Sequence, residues 1–87
     1  MKHAAPQTLS RIDPLLDQLR GVPGLVEKRP GVFYRRGAAF LHFHEDPAGI
    51  FADVRSGRDW ERMPTTTARA RNELLRRVKD VLSARSV

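Results

Sequence analysis

Eighty-seven residues with a formal net charge of +6 and no cysteine describe one small domain with a leaning toward acidic partners. A chain this short buries roughly 60–65% of the surface its unfolded form exposes, enough for one thin core layer and a shallow cleft but not for a deep enzyme pocket. The lack of cysteine excludes a disulfide framework, a thiolate zinc site and a cysteine nucleophile.

Residues 1–8 are polar and contain Pro6, the composition of a flexible tail. Asp13-Pro14 reads as a helix start, with Asp13 as N-cap and proline at the first helical position. Leu15, Leu16 and Leu19 give that helix one apolar face. Leu9 and Ile12 continue the pattern upstream, so a further helical turn before Asp13, bent at Pro14, is the alternative. Gly21 suits the position just past the helix end, and Gly21-Val22-Pro23-Gly24 ends the element.

Leu25–Arg29 and Val32–Arg36 read as strands around a Pro30-Gly31 turn, and Arg36-Gly37 turns into the next strand. The first of these strands carries Glu27, Lys28 and Arg29, which suits an edge. Ala38 to Arg55 is the centre of the chain. It reads as two strands joined by Asp46-Pro47-Ala48-Gly49. Alternation separates Leu41 and Phe43 from Phe40, His42 and His44, and separates Ile50, Ala52 and Val54 from Phe51, Asp53 and Arg55. If His44 faces Gly49 or Phe51, the apolar set forms one clean face and the histidine set the other. If it faces Ile50, both faces are mixed, and burial disfavours that slip.

Ser56 to Asp59 reads as a loop, and Trp60–Met63 as extended chain or a fifth short strand ended by Pro64. Thr65, Thr66 and Thr67 offer N-caps for a last helix over residues 68–84, about 25 Å long at 1.5 Å per residue. Its stripe is Leu74, Leu75, Val78, Val81 and Leu82. The expected fold is α+β: one domain over residues 1–87, with a four-stranded antiparallel meander and both helices on one face (α-β-β-β-β-α). No run suits a signal peptide, and none approaches the ~20 apolar residues of a membrane span. The expectation is a soluble, cytoplasmic protein with no membrane partner.

The run PGLVEKRPGVFYRRGAAFLHFHEDPAGIFADV resembles the luciferase-like domain family of uncharacterised bacterial proteins. The shared features are a helix, a PGV-type turn, a Gly-punctuated hairpin and a His-x-His strand before an Asp-containing strand, over residues 12–54. After Arg55, where a His-containing segment is expected, this chain has Trp60 and an Arg-rich helix. The resemblance implies a small bacterial α+β domain and carries no catalytic role to any residue here.

His42-x-His44 on a strand places two imidazoles on one face, about 7 Å apart along the chain. Strands present two nitrogen ligands to one metal in this way. Asp53 shares the face in the favoured registers, and Glu45 or Asp46 are further oxygen candidates. The competing interpretation is two surface histidines beside Phe40 and Phe51, since His3 falls in the tail. A catalytic zinc site takes three protein ligands plus water, and a structural one four.

The charge excess belongs to the C-terminal segment. Residues 1–61 carry nine basic and eight acidic groups, and residues 62–87 seven and two. On a helical projection, however, Arg69, Glu73, Arg76 and Asp80 form a ladder of alternating sign opposite the apolar stripe, the pattern of a solvated face. Arg77, Lys79, Arg62 and Arg85 are then scattered rather than striped.

Nucleophile-elbow, phosphate-loop, zinc-protease and dinucleotide motifs are absent. Three readings follow. The first is a non-catalytic interaction or dimerisation domain using a surface of Phe40, His42, His44, Phe51, Asp53 and Arg55, with a second copy or another protein as partner and no cofactor. The second is a zinc or other divalent-metal site at His42, His44 and Asp53. The third is nucleic-acid binding through the Arg-rich helix.

Overall fold

The computed structural model describes residues 2–83, with the backbone alone at Lys2. The elements are β1 (Lys2–His3), α1 (Pro6–Leu9), a 3-10 turn (Ser10–Ile12), α2 (Asp13–Arg20), β2 (Val26–Arg29), β3 (Val32–Arg35), β4 (Ala38–Asp46), β5 (Gly49–Ser56), β6 (Asp59–Pro64) and α3 (Ala68–Ser83). Strands β2 to β6 form an antiparallel meander in chain order, and β1 pairs with β4. The fold is α+β, as expected, with more strands than the four read from the sequence.

The two added strands, β1 and β6, have local causes. Asp59–Pro64 pairs with β5 from Ser56↔Asp59 to Phe51↔Pro64, so the ambiguous Trp60–Met63 stretch is a strand. Strand β4 runs for nine residues beside a four-residue β3, which leaves backbone groups of β4 without a ladder partner. The N-terminal segment fills that gap. Ala4 N–H donates to the Phe43 carbonyl, His3 lies opposite His44, and Ala4 is buried. Residues 1–8 were expected as a tail; residues 2–8 instead carry β1 and most of α1.

Asp13 is no N-cap. The chain enters it already helical, at φ −50° and ψ −45°, with no side-chain cap. The upstream helical turn is therefore real, and Pro14 sits in the first turn of α2, where its missing N–H costs nothing. Thr67 does cap α3, its Oγ1 accepting from the Ala70 N–H at 3.0 Å.

The central register is the one burial favours: His44↔Phe51, His42↔Asp53, Phe43↔Ala52 and Leu41↔Val54. Leu41, Phe43, Ala52 and Val54 are fully buried with Leu15, Leu16, Leu19, Leu74 and Val78 of the helices. Each of these side chains other than Ala52 contributes roughly 1.5–3 kcal/mol through removal from water.

Phe40 corrects the expected outer face, being 4% exposed and part of the core. The cause is a β-bulge. Arg35↔Ala38 and Tyr34↔Ala39 are followed by Phe33↔Leu41, so Phe40 is the extra residue on β4. A bulge places two residues opposite one, so Phe40 and Leu41 both serve the core side.

Candidate functional site

The outer face of the sheet is a row across four strands: Val32 opposite His42, His42 opposite Asp53, and Asp53 opposite Arg62. Each member is placed by strand phase, because the alternate residues of the same strands are held in the core. Asp53 is 7% exposed and its carboxylate is gripped by Arg62, with Nε to Oδ1 at 2.9 Å and Nη2 to Oδ2 at 3.1 Å. This two-pronged contact is the strong geometry for a guanidinium and a carboxylate.

The two imidazoles meet edge to face, with ring centroids 4.5 Å apart. Trp60 closes the other side of His42 at 4.6 Å and is itself overlain by the Arg55 guanidinium at 5.5 Å. His44 Nε2 lies 3.1 Å from Asp53 Oδ2 but is not aligned as a hydrogen bond. Both ring nitrogens of His44 are therefore buried without a hydrogen-bond partner. That state is unfavourable for a polar group unless something else satisfies it.

Donor atoms of His42, His44 and Asp53 all lie within 4.8 Å of one another. Burial, and next the neighbouring His44, push the His42 imidazole below its ordinary pKa, against a weaker pull from Asp53. Burial alone would raise the Asp53 carboxyl. The Arg62 hydrogen bonds and charge, with both imidazoles, outweigh it and hold Asp53 below its ordinary value. The site therefore favours a neutral His42 and an ionised Asp53, the forms that ligate metals.

The other candidate oxygens are used elsewhere. Glu45 accepts from the Ala5 N–H and the Thr8 hydroxyl, tying the N-terminal segment to β4. Asp46 accepts from the Ala48 N–H at 2.8 Å and shapes its own turn. Phe51 lies beside His44 on the outer face and is half-buried, while Arg55 is exposed against Trp60. Phe40 does not join this face. His3, assigned to the tail, stands opposite His44, donates from Nε2 to the Pro30 carbonyl at 3.2 Å, and adds to the depression of His42.

Arg62 and Trp60 are the residues that sequence reasoning left out. Their signal was the two-residue Gly57-Arg58 turn, since Ser56↔Asp59 carries Asp53 to Arg62 and Arg55 to Trp60. On α3, Arg76 pairs with Glu73 at 2.6 Å as the ladder implies, but Arg77 is not free: it pairs with Glu61 at 2.7 Å. No described helix is long and apolar enough to cross a membrane. Comparison with known proteins finds no matching family model, no similar curated protein and no similar solved structure.

Proposed function

We propose that this chain is a binding module whose working surface is the outer face of the sheet, centred on a divalent transition-metal site formed by His42, His44 and Asp53. One observation carries it: three suitable donors lie within 4.8 Å of one another, and both ring nitrogens of His44 are buried without a hydrogen-bond partner. Two imidazoles and a carboxylate suit zinc or a similar borderline ion, whereas magnesium and calcium take all-oxygen sets. Donors on a tetrahedral zinc stand roughly 3.4 Å apart at bonds of about 2.0–2.1 Å, so small side-chain rotations close the set. A fourth position is left for water or for a group from a partner. The resemblance to the luciferase-like domain family is a proposal of kinship and gives these residues no role.

Arg62 opposes the ion, because it already holds Asp53. Its side chain is 50% exposed and has solvent to swing into. Zinc titrated calorimetrically into the whole chain at neutral pH is expected to bind at one equivalent. His44→Ala and Asp53→Asn should abolish that binding, and Arg62→Ala should tighten it. No uptake, or uptake unchanged in the first two variants, rejects the site.

A second reading, self-association through the same face, is favoured by two exposed apolar side chains, Trp60 at 39% and Val26 at 56%. Sedimentation with and without zinc separates the two. A dimer in both conditions that Trp60→Glu dissolves supports association, and a monomer throughout dismisses it.

A further inference from the structure

We propose that the cleft between the C-terminal end of α3 and the β3–β4 and β5–β6 turns binds a small phosphorylated anion. The cleft measures about 1010 Å³, and Arg35, Arg36, Arg55 and Arg77 line it together with Phe40 and Asp80. Three separate segments thus bring arginines to the border of one cleft, although they are far apart in sequence. Asp80 is the single carboxylate among the described residues of the lining.

Arg77 is already paired with Glu61 at 2.7 Å. The other three have no carboxylate partner among the described residues. Arg35 reaches the Leu82 carbonyl at 3.4 Å, Arg55 the Gly57 carbonyl at 3.2 Å, and Arg36 makes no hydrogen bond or ion pair there. Like charges gathered around a concavity repel, and a multiply charged anion relieves this. Guanidinium forks match phosphate oxygens in pairs. The bulged Phe40 lies under Arg35 at 6.0 Å and supplies an apolar floor.

The backbone gives an independent sign. Arg36 and Gly37 form the two-residue turn between β3 and β4, with φ of 52° and 80°. Such turns favour asparagine, aspartate or glycine at the first position. Arginine there adopts a left-handed conformation that its own preferences oppose, and the result is an arginine in the cleft lining. A nucleic-acid strand fits less well. It needs a continuous basic track, and Arg62 and Arg76 are instead paired with Asp53 and Glu73 at 2.9 and 2.6 Å.

Pyrophosphate titrated into the ¹⁵N-labelled chain at physiological salt, with a chelator present, tests this. Saturating amide shifts are expected only at residues 36–38, 56 and 57 and in the last turn of α3. Arg36→Asn and Arg55→Ala should each weaken binding roughly tenfold or more. Arg36→Asn suits the turn, so its loss reports the guanidinium rather than the fold. Shifts that never saturate or that scatter to Arg11 and Arg69 would overturn the proposal. So would affinity unchanged in both variants, or binding of a single-stranded oligonucleotide but not of pyrophosphate. The chelator keeps any of these results independent of the metal site.

Discussion

The two faces of this sheet are built by the same strands and differ by one residue of phase. On the inner face, Leu41, Phe43, Ala52 and Val54 meet three leucines of α2 and the apolar stripe of α3, and the buried Thr65 hydroxyl is satisfied by the Ile50 carbonyl. On the outer face, the alternate positions hold two imidazoles, a carboxylate, a guanidinium and an indole in direct contact. The inner face is over-determined: helices of matching amphipathicity cover it and a slip of one residue would ruin it. The outer face is under-satisfied. Its His44 ring nitrogens lack hydrogen-bond partners and its indole meets solvent, so folding alone does not account for its composition. The contrast teaches that stability and function are here divided by strand phase, with the proposed metal site assembled from what the core did not need.

Paired substitutions break this comparison most forcefully. Phe43→Ala should cost about 3–5 kcal/mol through a cavity between sheet and helices. Phe51→Ala on the facing strand should cost less than about 1.5 kcal/mol, because its side chain is only half-buried. Denaturant melts of both variants check the ratio, and equal costs would mean that the outer face is a second core. Gly31→Val comes next. Its φ is +76°, and a Cβ there would stand 2.9 Å from a methyl group of Leu9. About 2 kcal/mol or more of stability should be lost, from backbone strain together with displacement of α1.

A smaller effect comes from pH. Arg20 holds Glu27 at 2.6 Å and depresses its pKa, the Gly31 N–H helping and burial opposing. A depressed carboxylate contributes stability that is fully present above its unfolded pKa of about 4.3 and is lost as pH falls through the lower folded value. Glu27→Gln should therefore be less stable than the parent at pH 7, and the gap should close in acid. The effect is modest because Arg20 is partly in solvent. A gap that widened in acid would contradict the assigned ion pair. The smallest expected change is Trp60→Ala, within about 0.5 kcal/mol of the parent in a melt, since it removes a half-exposed ring from the outer face.

Much of the fold was legible because Leu41–His44 and Ile50–Arg55 alternate cleanly, and because Leu74, Leu75 and Val78 repeat at helical spacing. Phe40 departs from the simple alternation because the two hairpins that share β4 make opposite demands on it. The Arg36-Gly37 turn, continued without interruption, would set Phe40 opposite Phe33 on the core side. The Asp46–Gly49 turn puts Leu41 and Phe43 there. Both demands are met only by an extra residue, which is the bulge observed at Phe40. Considered together, the two hairpins contain that conflict in their sequences. The N-terminal strand was not legible. Its cause is the mismatch in length between β3 and β4, which arises only once the sheet exists. The arginine cleft was hidden for the same reason: Arg35, Arg36 and Arg55 carry no pattern in common with Arg77 until the turns close over the end of α3.

The metal site is tested most directly by the ring ¹⁵N resonances of the histidines during zinc titration. The expected result is a large shift of one ring nitrogen on each of His42 and His44, complete at one equivalent of zinc and absent in Asp53→Asn. Unmoved rings in the presence of excess zinc, or a shift confined to His3, would contradict it.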